Sequence, residues 1–386
     1  MQLSVIILNY NVRYFLEQCV LSVQKALENI DGEIIVIDNF SADESCDMMK
    51  QRFPNVKLIE NKANLGFPKG NNIGVAEAKG EYICILNPDT VVAEDTFEKV
   101  LAFAKSKQDL GIVGCKLIDG TGNFLPECKR GVPTPWVAFT KIFGLYKIFP
   151  KSKLFNKYYA QHLSENQTGE VDILVGAFMI MKRDLYLEVG GFDEKCFMYS
   201  DDIDLSYMVL KTGKSNYYFH ETSVIHYKGE STVRDGTYMK RFREAMQFFY
   251  KKHFGGSVIF DIFMKLGAFF FALLKKNQGK QIILNIAQYF LVSSDENLKI
   301  KLEKQLQKNL SLVTDINENA LFSQSNSKEA PIEIVLDNNR FSFREIIGFL
   351  ERNKNNNYTF KIIPEKASFI IGSNSSNDRG EIIEIK

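Results

Sequence analysis

Short apolar runs alternate with segments of helical periodicity through residues 1–120. The apolar runs, which predict buried strands, are residues 3–8, 33–37, 56–59 and 82–86. Between the first two runs, Leu16, Val20, Val23 and Leu27 recur at helical spacing. Helices are also predicted over residues 43–53 and 70–79. This alternation is typical of an α/β fold built on a parallel sheet.

The same signals continue further along the chain. Strands are predicted within residues 111–117, 171–181 and 224–226, and helices over 202–210 and 238–254. Residues 119–170 lack a regular period and are predicted to be irregular, with basic and aromatic character. We therefore predict one large N-terminal domain over residues 1–255.

Three further segments follow this domain. Residues 256–310 are predicted to be a hydrophobic or amphipathic helical extension, in which residues 258–274 are buried, interfacial or membrane-spanning. The polar residues 311–330 are predicted to be a linker. Residues 331–386 are predicted to form a small α/β or α+β module of unknown role.

Composition excludes several classes of protein. Lys and Arg number 48 and Asp and Glu number 47, so the net charge of +1 argues against a globally basic nucleic-acid binder. The six cysteines form no C-x-x-C pair, which argues against a zinc site or a disulfide framework. The N-terminus enters the first strand without a basic region or cleavage site, so we expect a cytoplasmic protein.

Polar side chains follow three of the predicted strands. Asn9 and Tyr10 follow the first strand, Asp38 and Asn39 the second, and Asp89 the fourth. Ligands bind at the carboxyl ends of strands in open α/β sheets, so these residues are candidates for a binding site. The alternative is ordinary turn chemistry, because Asn and Asp are favoured in turns.

A glycine-rich stretch runs from Asn64 to Gly74 and includes Gly66, Gly70 and Asn72. Its glycines allow close approach of a polar ligand or of a neighbouring strand. The stretch is not a P-loop, and the chain contains no G-x-G-x-x-G, which argues against a dinucleotide oxidoreductase. Tight helix packing is the alternative explanation.

Two isolated residues are candidate metal ligands. Asp89, in the sequence Asn87-Pro88-Asp89, follows a buried strand, where a carboxylate can bind Mg²⁺ or Mn²⁺ and so hold a diphosphate. A proline turn before a helix cap is the alternative. His226 ends a strand and could ligate a metal or touch a phosphate.

The densest group of carboxylates is Asp201, Asp202 and Asp204 within an aromatic and apolar stretch. One of the adjacent pair Asp201 and Asp202 can act as a general base while the other orients a neighbour or caps the helix. Nearby like charges raise each other's pKa, which suits a base. The alternative is a solvated helix N-terminus.

The order of these motifs resembles the family 2 glycosyltransferases of the GT-A fold, in particular their bacterial rhamnosyltransferase-like branch. The resemblance covers about residues 1–255 and rests on the segments 4–11, 36–43, 64–67, 86–89, 191–193, 199–205 and His226. It implies a GT-A type, Rossmann-like mixed sheet flanked by helices. It also implies inverting transfer of a sugar, with rhamnose as a candidate, from a nucleotide-diphosphate donor to a glycan or lipid-linked acceptor in cell-surface polysaccharide synthesis.

The resemblance also implies roles for individual residues. Asn9, Asp38 and Asn64 would surround the nucleoside, Asp89 and His226 would hold Mg²⁺ or Mn²⁺, and Asp202 would be the base. The sequence departs from the family at two positions: Asn87 replaces the first Asp of D-x-D, and Asp201 replaces the usual Glu before the base. We also expect nucleotide-sugar binding to involve Tyr10, Asn39, Gly66, Asn72 and Asn87. Asp201 is expected to support catalysis.

Basic and aromatic residues are interleaved over residues 141–157 and 240–252. Such stretches suit an anionic membrane, so we expect peripheral contact with the inner face of the plasma membrane. Solvated lysines over a packed face are the alternative. No motif supports nucleic-acid binding. Two rival functions remain: a sugar nucleotidyltransferase, although a Gly-rich basic loop after the first strand is missing, and a catalytically silent sugar-nucleotide-binding scaffold.

Overall fold

Two large β-sheets, one two-stranded sheet and their flanking helices make up the part of the chain that the computed structural model describes. That part comprises residues 1–142, 144–149, 152, 154–228, 236–255, 286–316, 331–354, 357–374 and 380–385. The N-terminal sheet has nine strands and the C-terminal sheet has six.

The N-terminal strands and helices are as follows. The strands are β1 (Leu3–Asn9), β2 (Gly32–Asp38), β3 (Lys57–Glu60), β4 (Tyr82–Leu86), β5 (Thr90–Val91), β6 (Leu110–Ile118), β7 (Lys129–Arg130), β8 (Gly169–Val171), β9 (Ile173–Leu174), β10 (Phe178–Lys182) and β11 (Ser215–His226). The helices are α1 (Arg13–Ala26), α2 (Ser45–Arg52), α3 (Gly66–Ala76), α4 (Thr96–Lys105), α5 (Pro135–Ile142), α6 (Leu145–Ile148), α7 (Arg183–Glu188), α8 (Asp201–Lys211) and α9 (Gly236–Phe254).

The N-terminal sheet is mixed, as predicted. Its order is β3-β2-β1-β4-β10-β6-β11-β5, with β8 paired to β11. β3, β2, β1 and β4 are parallel, whereas β10 is antiparallel to both of its neighbours. Helices cover both faces of the central strands, which explains why β1 and β4 are unbroken apolar runs. The parallel register pairs Asn9 with Asp38, so the polar ends of β1 and β2 coincide.

The C-terminal sheet begins before the predicted module. It contains β12 (Gln288–Val292), β13 (Leu310–Val313), β14 (Ile332–Asp337), β15 (Tyr358–Ile363), β16 (Phe369–Ser373) and β17 (Glu381–Glu384), with helices α10 (Glu296–Leu306) and α11 (Phe343–Arg352). The predicted helical extension is therefore wrong for residues 288–292 and 310, which are strands, and the predicted linker is wrong for residues 311–313. Pairing of β12 with β14 explains the difference, because it joins segments on both sides of the expected linker.

The C-terminal sheet packs directly on the N-terminal domain. The rings of Tyr14 and Phe369 lie 4.9 Å apart. Glu94 accepts hydrogen bonds of 2.8 Å from the backbone N–H groups of Phe343 and Arg344, at the start of α11. The two sheets therefore share one continuous apolar core.

Two predictions about local structure need correction. Residues 119–170 were expected to be irregular, but they contain α5, α6, β7 and part of β8. The strand expected at residues 224–226 is the C-terminal part of β11, which has twelve residues. The rest of β11 was not predicted because it contains polar residues. Asn216, for example, is buried because its side chain forms hydrogen bonds with the backbone of Ile112 and Asp172.

The second basic and aromatic stretch lies on α9 and packs inward. Phe249 and Tyr250 are buried. The carboxylate of Asp204 on α8 lies 2.8 Å from Lys252 Nζ and 2.6 Å from His253 Nε2. These contacts favour the structural alternative for this stretch. Among the described residues, none of the helices has the length and apolar character needed to cross a bilayer; residues 258–274 lie outside the described part.

Candidate active site

The ends of β1 and β2 are joined by a buried polar network. Asn9 Nδ2 donates to Asp38 Oδ1 at 2.8 Å and to Ser41 Oγ at 3.1 Å, and Ser41 N–H donates to Asp38 Oδ2 at 2.8 Å. Asn9 Oδ1 is buried without a partner among the described residues. Tyr10 and Phe40 are the exposed aromatic side chains beside this network. The ends of β1 and β2 thus present two exposed aromatic rings beside a hydrogen-bonded polar network.

Asn39 connects the second strand to the glycine-rich stretch. Its Nδ2 donates to Asn64 Oδ1 and to the carbonyl of Gly66, each at 3.2 Å. Gly66 has φ +81°, and a Cβ there would lie 2.8 Å from the Phe197 ring. Gly66 is therefore required for close approach of the segment before Asp201, which is a structural reason for this glycine.

Asn72 has a structural role. Its Oδ1 accepts from the Tyr186 hydroxyl at 2.6 Å and from Phe192 N–H at 3.2 Å. Its Nδ2 donates to the carbonyl of Phe192 at 2.9 Å and to Glu194 at 3.2 Å. These four bonds use the full hydrogen-bonding capacity of the side-chain amide, so the amide has no free donor or acceptor for a donor sugar. Asn72 instead fixes the turn before α8.

Asp89 and His226 lie together because β5 pairs antiparallel with β11, with His226 opposite Thr90. His226 Nε2 is 3.4 Å from Asp89 Oδ1 and 3.3 Å from Asn87 Nδ2. The carboxylate and the imidazole are both largely buried. His226 Nδ1 is also buried and has no hydrogen-bond partner among the described residues. The two predicted metal ligands, Asp89 and His226, are therefore adjacent in space, and Asn87, predicted to contribute to nucleotide-sugar binding, lies beside them.

Asp202 lies in the first turn of α8 and is held by three donors. Arg130 Nη2 donates to Asp202 Oδ2 at 2.5 Å, and the Gly176 N–H donates to the same oxygen at 3.3 Å. Oδ1 accepts from Ile203 N–H at 2.7 Å. Because Oδ2 already has two donors, the larger remaining acceptor capacity is on Oδ1.

One short segment connects the surroundings of Asp202 and Asp89. Gly176 N–H donates to Asp202, and the carbonyl of the next residue, Ala177, accepts from the backbone N–H of Asn87 at 3.0 Å. The segment between β9 and β10 therefore lies between the candidate base and the candidate metal ligands. The structure brings these two groups to the same edge of the sheet.

Charge and burial distinguish the two adjacent aspartates. Burial, reinforced by the charge of Asp202, raises the pKa of Asp201 to about 7. A carboxyl group with this pKa is substantially protonated near neutral pH and can donate a hydrogen bond. Asp202 instead forms an ion pair with Arg130. The environment thus makes the two adjacent carboxyl groups different: Asp201 is substantially protonated near neutral pH, and Asp202 is paired with a guanidinium group.

Left-handed backbone conformations surround the site. Positive φ values occur at Asn11, Phe40, Tyr199 and Lys228, which follow or precede the candidate residues by one to three positions. Such conformations cost free energy in residues other than glycine and concentrate at functional sites. They indicate that the loops at this edge are held in fixed shapes.

Asp89 and His226 fit a site in which Mg²⁺ or Mn²⁺ has only a few ligands from the protein. Asp89 and His226 provide a carboxylate and an imidazole, and His226 Nδ1 has no competing partner among the described residues. The described residues include no group of three or more His, Cys, Asp or Glu side chains that could hold a metal. The single carboxylate of Asp89 suits Mg²⁺, which is commonly bound by one or two carboxylates together with water and substrate phosphates.

Arg130 and its neighbours were missed by sequence reasoning. Arg130 lies in the segment expected to be irregular, 72 positions before its partner Asp202. Glu127, close by, bonds Lys228 just after His226. Arg130 belongs to no motif that the sequence analysis identified, and only the pairing of β7 with β9 places it at Asp202. Its basic and aromatic surroundings were the only signal.

A family model and several curated proteins that are similar to this chain are glycosyltransferases. Residues 4–190 match the model of glycosyl transferase family 2. The N-acetylglucosaminyl-diphospho-decaprenol L-rhamnosyltransferase of Mycobacterium tuberculosis is 27% identical over 244 residues, which are 60% of this chain and 78% of that protein. Rhamnosyltransferase WbbL of Escherichia coli is 27% identical over 220 residues, 53% of this chain and 78% of WbbL.

Solved structures include similar chains. A mannosyltransferase from Pyrobaculum calidifontis, solved with GDP-Man and Mn²⁺, superposes with a TM-score of 0.47 at 16% identity. The superposition covers 72% of this chain and 76% of that one.

Proposed function

We propose, from the premise that residues 4–190 form a glycosyl transferase family 2 domain of the rhamnosyltransferase-like branch, that this glycosyltransferase is an inverting enzyme with Asp202 as its base. The donor is a nucleotide-diphosphate sugar, with rhamnose as the candidate sugar. The acceptor is a hydroxyl of a glycan or lipid-linked glycan in cell-surface polysaccharide synthesis. One observation carries the proposal: Gly176 and Ala177 join the Asp202 carboxylate to the Asn87–Asp89–His226 group.

The donor would bind across the ends of the parallel strands. The nucleobase would lie against the exposed rings of Tyr10 and Phe40, and the nucleoside would contact the polar network of Asn9 and Asp38. Asn39 and Asn64 would support this loop. Asn72 has no such role, for the reason given above.

The diphosphate would lie at Asp89 and His226. A divalent metal bound there would neutralise the charge of the leaving nucleoside diphosphate. Asp89 and His226 would hold it, and Asn87 would contribute at most an amide oxygen where a carboxylate would bind more strongly. The antiparallel pairing of β5 with β11 fixes both side chains before the ligand arrives.

The acceptor hydroxyl would donate to Asp202 Oδ1, which has the larger free capacity. Asp202 takes the proton as the acceptor oxygen attacks the anomeric carbon, and the bond to the nucleoside diphosphate breaks. Arg130 is a positioning residue, because its bond to Oδ2 fixes the direction of the other oxygen. A single displacement of this kind inverts the anomeric configuration.

The experiment is a screen of nucleotide sugars with Mn²⁺ or Mg²⁺, in which release of nucleoside diphosphate is measured for the wild type and for Asp202→Asn. The proposal expects release with one or a few sugars and its loss in the variant, which should still bind the nucleotide. Nucleotide-sugar binding with equal, negligible release in both proteins would support the scaffold instead. Pyrophosphate release from a sugar phosphate and a nucleoside triphosphate would identify the nucleotidyltransferase.

A further inference from the structure

The segment that follows Arg130 in the chain carries an exposed apolar patch. Among the described residues, Trp136, Ile148, Phe149 and Leu154 are 44%, 65%, 49% and 56% exposed. They are four of the eleven large hydrophobic side chains with high exposure in the described part of the chain. Their concentration within nineteen positions is unusual for a surface in contact only with water.

These side chains form one contiguous surface. Phe155 is its centre: its ring is 5.9 Å from that of Trp136 and 5.4 Å from that of Phe149. Trp136 Nε1 donates to the carbonyl of Leu154 at 3.0 Å, which fixes the indole on the patch. Ile148 ends α6, directly before Phe149. We call Trp136, Ile148, Phe149 and Leu154 the apolar patch.

The charged residues of the segment that carries the apolar patch all have one sign. Between Glu127 and Glu165 the sequence contains no Asp or Glu and seven Lys or Arg residues. Of the lysines, Lys147 and Lys157 are exposed in the structure. Basic side chains beside exposed aromatic and aliphatic ones are complementary to anionic lipid headgroups over an acyl interior. Nucleic acid would match the charge but would leave the aliphatic side chains in water.

The inner side of the same segment reaches the candidate base. Lys141 on α5 bonds the Tyr158 hydroxyl, and its ammonium group lies 3.6 Å from the centre of the Tyr158 ring. Tyr158 is close enough to Arg130 and Asp202 for their charges to act on its hydroxyl. The segment thus has the apolar patch on its outer side and the surroundings of Asp202 on its inner side.

We propose that the apolar patch, with Lys147 and Lys157, docks the protein on an anionic membrane surface and so presents a lipid-linked acceptor to Asp202. The inference rests on the proposed function, because the docking surface gives the acceptor of that reaction its location. Ile148 and Phe149 would enter the headgroup region, and the two lysines would remain at the level of the phosphates.

Flotation with phosphatidylcholine vesicles, with and without phosphatidylglycerol, tests the docking surface. The wild type should bind the anionic vesicles, and the double variant Ile148→Ser/Phe149→Ser should bind at least about tenfold more weakly, because two exposed apolar side chains are lost. Lys147→Gln should weaken binding to anionic vesicles about fivefold and leave neutral vesicles unaffected. Ile300→Ser is the matched control, since Ile300 is 61% exposed on the C-terminal sheet's helix α10 and should not contribute.

Two results would overturn docking: no binding of the wild type to anionic vesicles at low salt, or equal loss in the Ile300→Ser control. Retention on a nucleic-acid column without vesicle binding would show that the basic segment has a different partner. Nucleotide-sugar hydrolysis without vesicles is measured in parallel, and the double variant should retain the wild-type rate. Loss of docking with intact hydrolysis would leave the catalytic proposal standing, whereas absence of hydrolysis in every protein would contradict the catalytic proposal alone.

Discussion

Arg130 Nη2 lies 2.5 Å from Asp202 Oδ2, across 72 positions of sequence. The guanidinium group also donates to the carbonyl of Leu174 at 3.3 Å, so it is fixed to β9 as well as to the Asp202 carboxylate. Its Nε is buried without a partner among the described residues. A buried arginine with a fixed contact to a carboxylate sets the orientation of that carboxylate, and this relationship leads to the first two predictions.

Removing the proposed base, Asp202, should greatly slow turnover and preserve nucleotide binding. Asp202→Asn keeps the size of the side chain and removes its ability to accept the proton, so we expect kcat to fall about 10²–10⁴-fold. Nucleoside diphosphate release and calorimetric titration of the nucleotide measure the two effects. Asp204→Asn is the control on the same helix: it should lower the melting temperature by weakening the contacts to Lys252 and His253, with a far smaller effect on kcat.

Removing Arg130 should affect kcat more than the KM for the donor. In Arg130→Ala the Asp202 carboxylate loses its fixed direction, and we expect kcat to fall about 10²-fold. Arg130→Lys should recover part of the loss, and added guanidinium at low concentration should recover part of it in Arg130→Ala. Arg52→Ala, which breaks another partly buried ion pair, is the control for stability. Equal losses in both alanine variants, without rescue, would reduce Arg130 to a structural role.

Adding a carboxylate beside His226 should strengthen metal binding. Asn87→Asp places a second carboxylate near Asp89, so we expect tighter Mn²⁺ binding in the presence of nucleoside diphosphate. Asp89→Asn should weaken it. Titration followed by electron paramagnetic resonance of free Mn²⁺ measures the affinities without requiring turnover. Unchanged affinity in both variants would place the metal, if one binds, elsewhere.

Asp201 should make the protein less stable as pH rises. Its pKa in the folded state is about 7, above the ordinary value of 3.8, so the folded chain binds more protons between these pH values. The free energy of unfolding therefore falls through this window, and the cost is fully present above pH 7. Asp201→Asn removes the charge and should be more stable than the wild type at pH 8, by an amount on the order of a few kcal/mol, with little difference at pH 4.

Asp193→Asn is the control of opposite sign. Burial is the largest single effect and raises the pKa of Asp193, but the hydrogen bonds from Lys252 and from the Lys195 N–H, together with the charges of both lysines, lower the pKa overall. The folded state therefore gains stability from this charge above the ordinary pKa. Thermal unfolding across this pH range should show Asp193→Asn less stable than the wild type at pH 8. The same pH trend in both variants would contradict the assignment for Asp201.

Glu94 should stabilise the contact between the two sheets. Its two carboxylate oxygens accept from consecutive N–H groups at the start of α11, which is also the positive end of the helix dipole. We expect Glu94→Gln to lower the free energy of unfolding by about 1 kcal/mol. Glu98→Gln, an exposed position on α4, should change it far less. Urea titration of both variants measures the difference.

The pattern of apolar residues along the chain is enough to predict the parallel half of the N-terminal sheet. Residues 3–8 and 82–86 are apolar almost without interruption because both faces of β1 and β4 are covered, and that pattern is local. The polar residues Asn9 and Asp38 could be placed together since parallel strands end at the same edge. Asp201 and Asp202 could be identified as a pair because their apolar neighbours distinguish them from an ordinary solvated helix start.

The residues around Asp202 and the start of the second sheet are visible only once the strands have paired in space. Arg130 reaches Asp202 through the two-residue pairing of β7 with β9, which leaves no periodic pattern to read. His226 reaches Asp89 through the pairing of β5 with β11, and β12 joins β14 across the expected linker. Contacts between distant segments depend on how strands pair in space, and a periodic pattern of apolar residues carries no information about the partner.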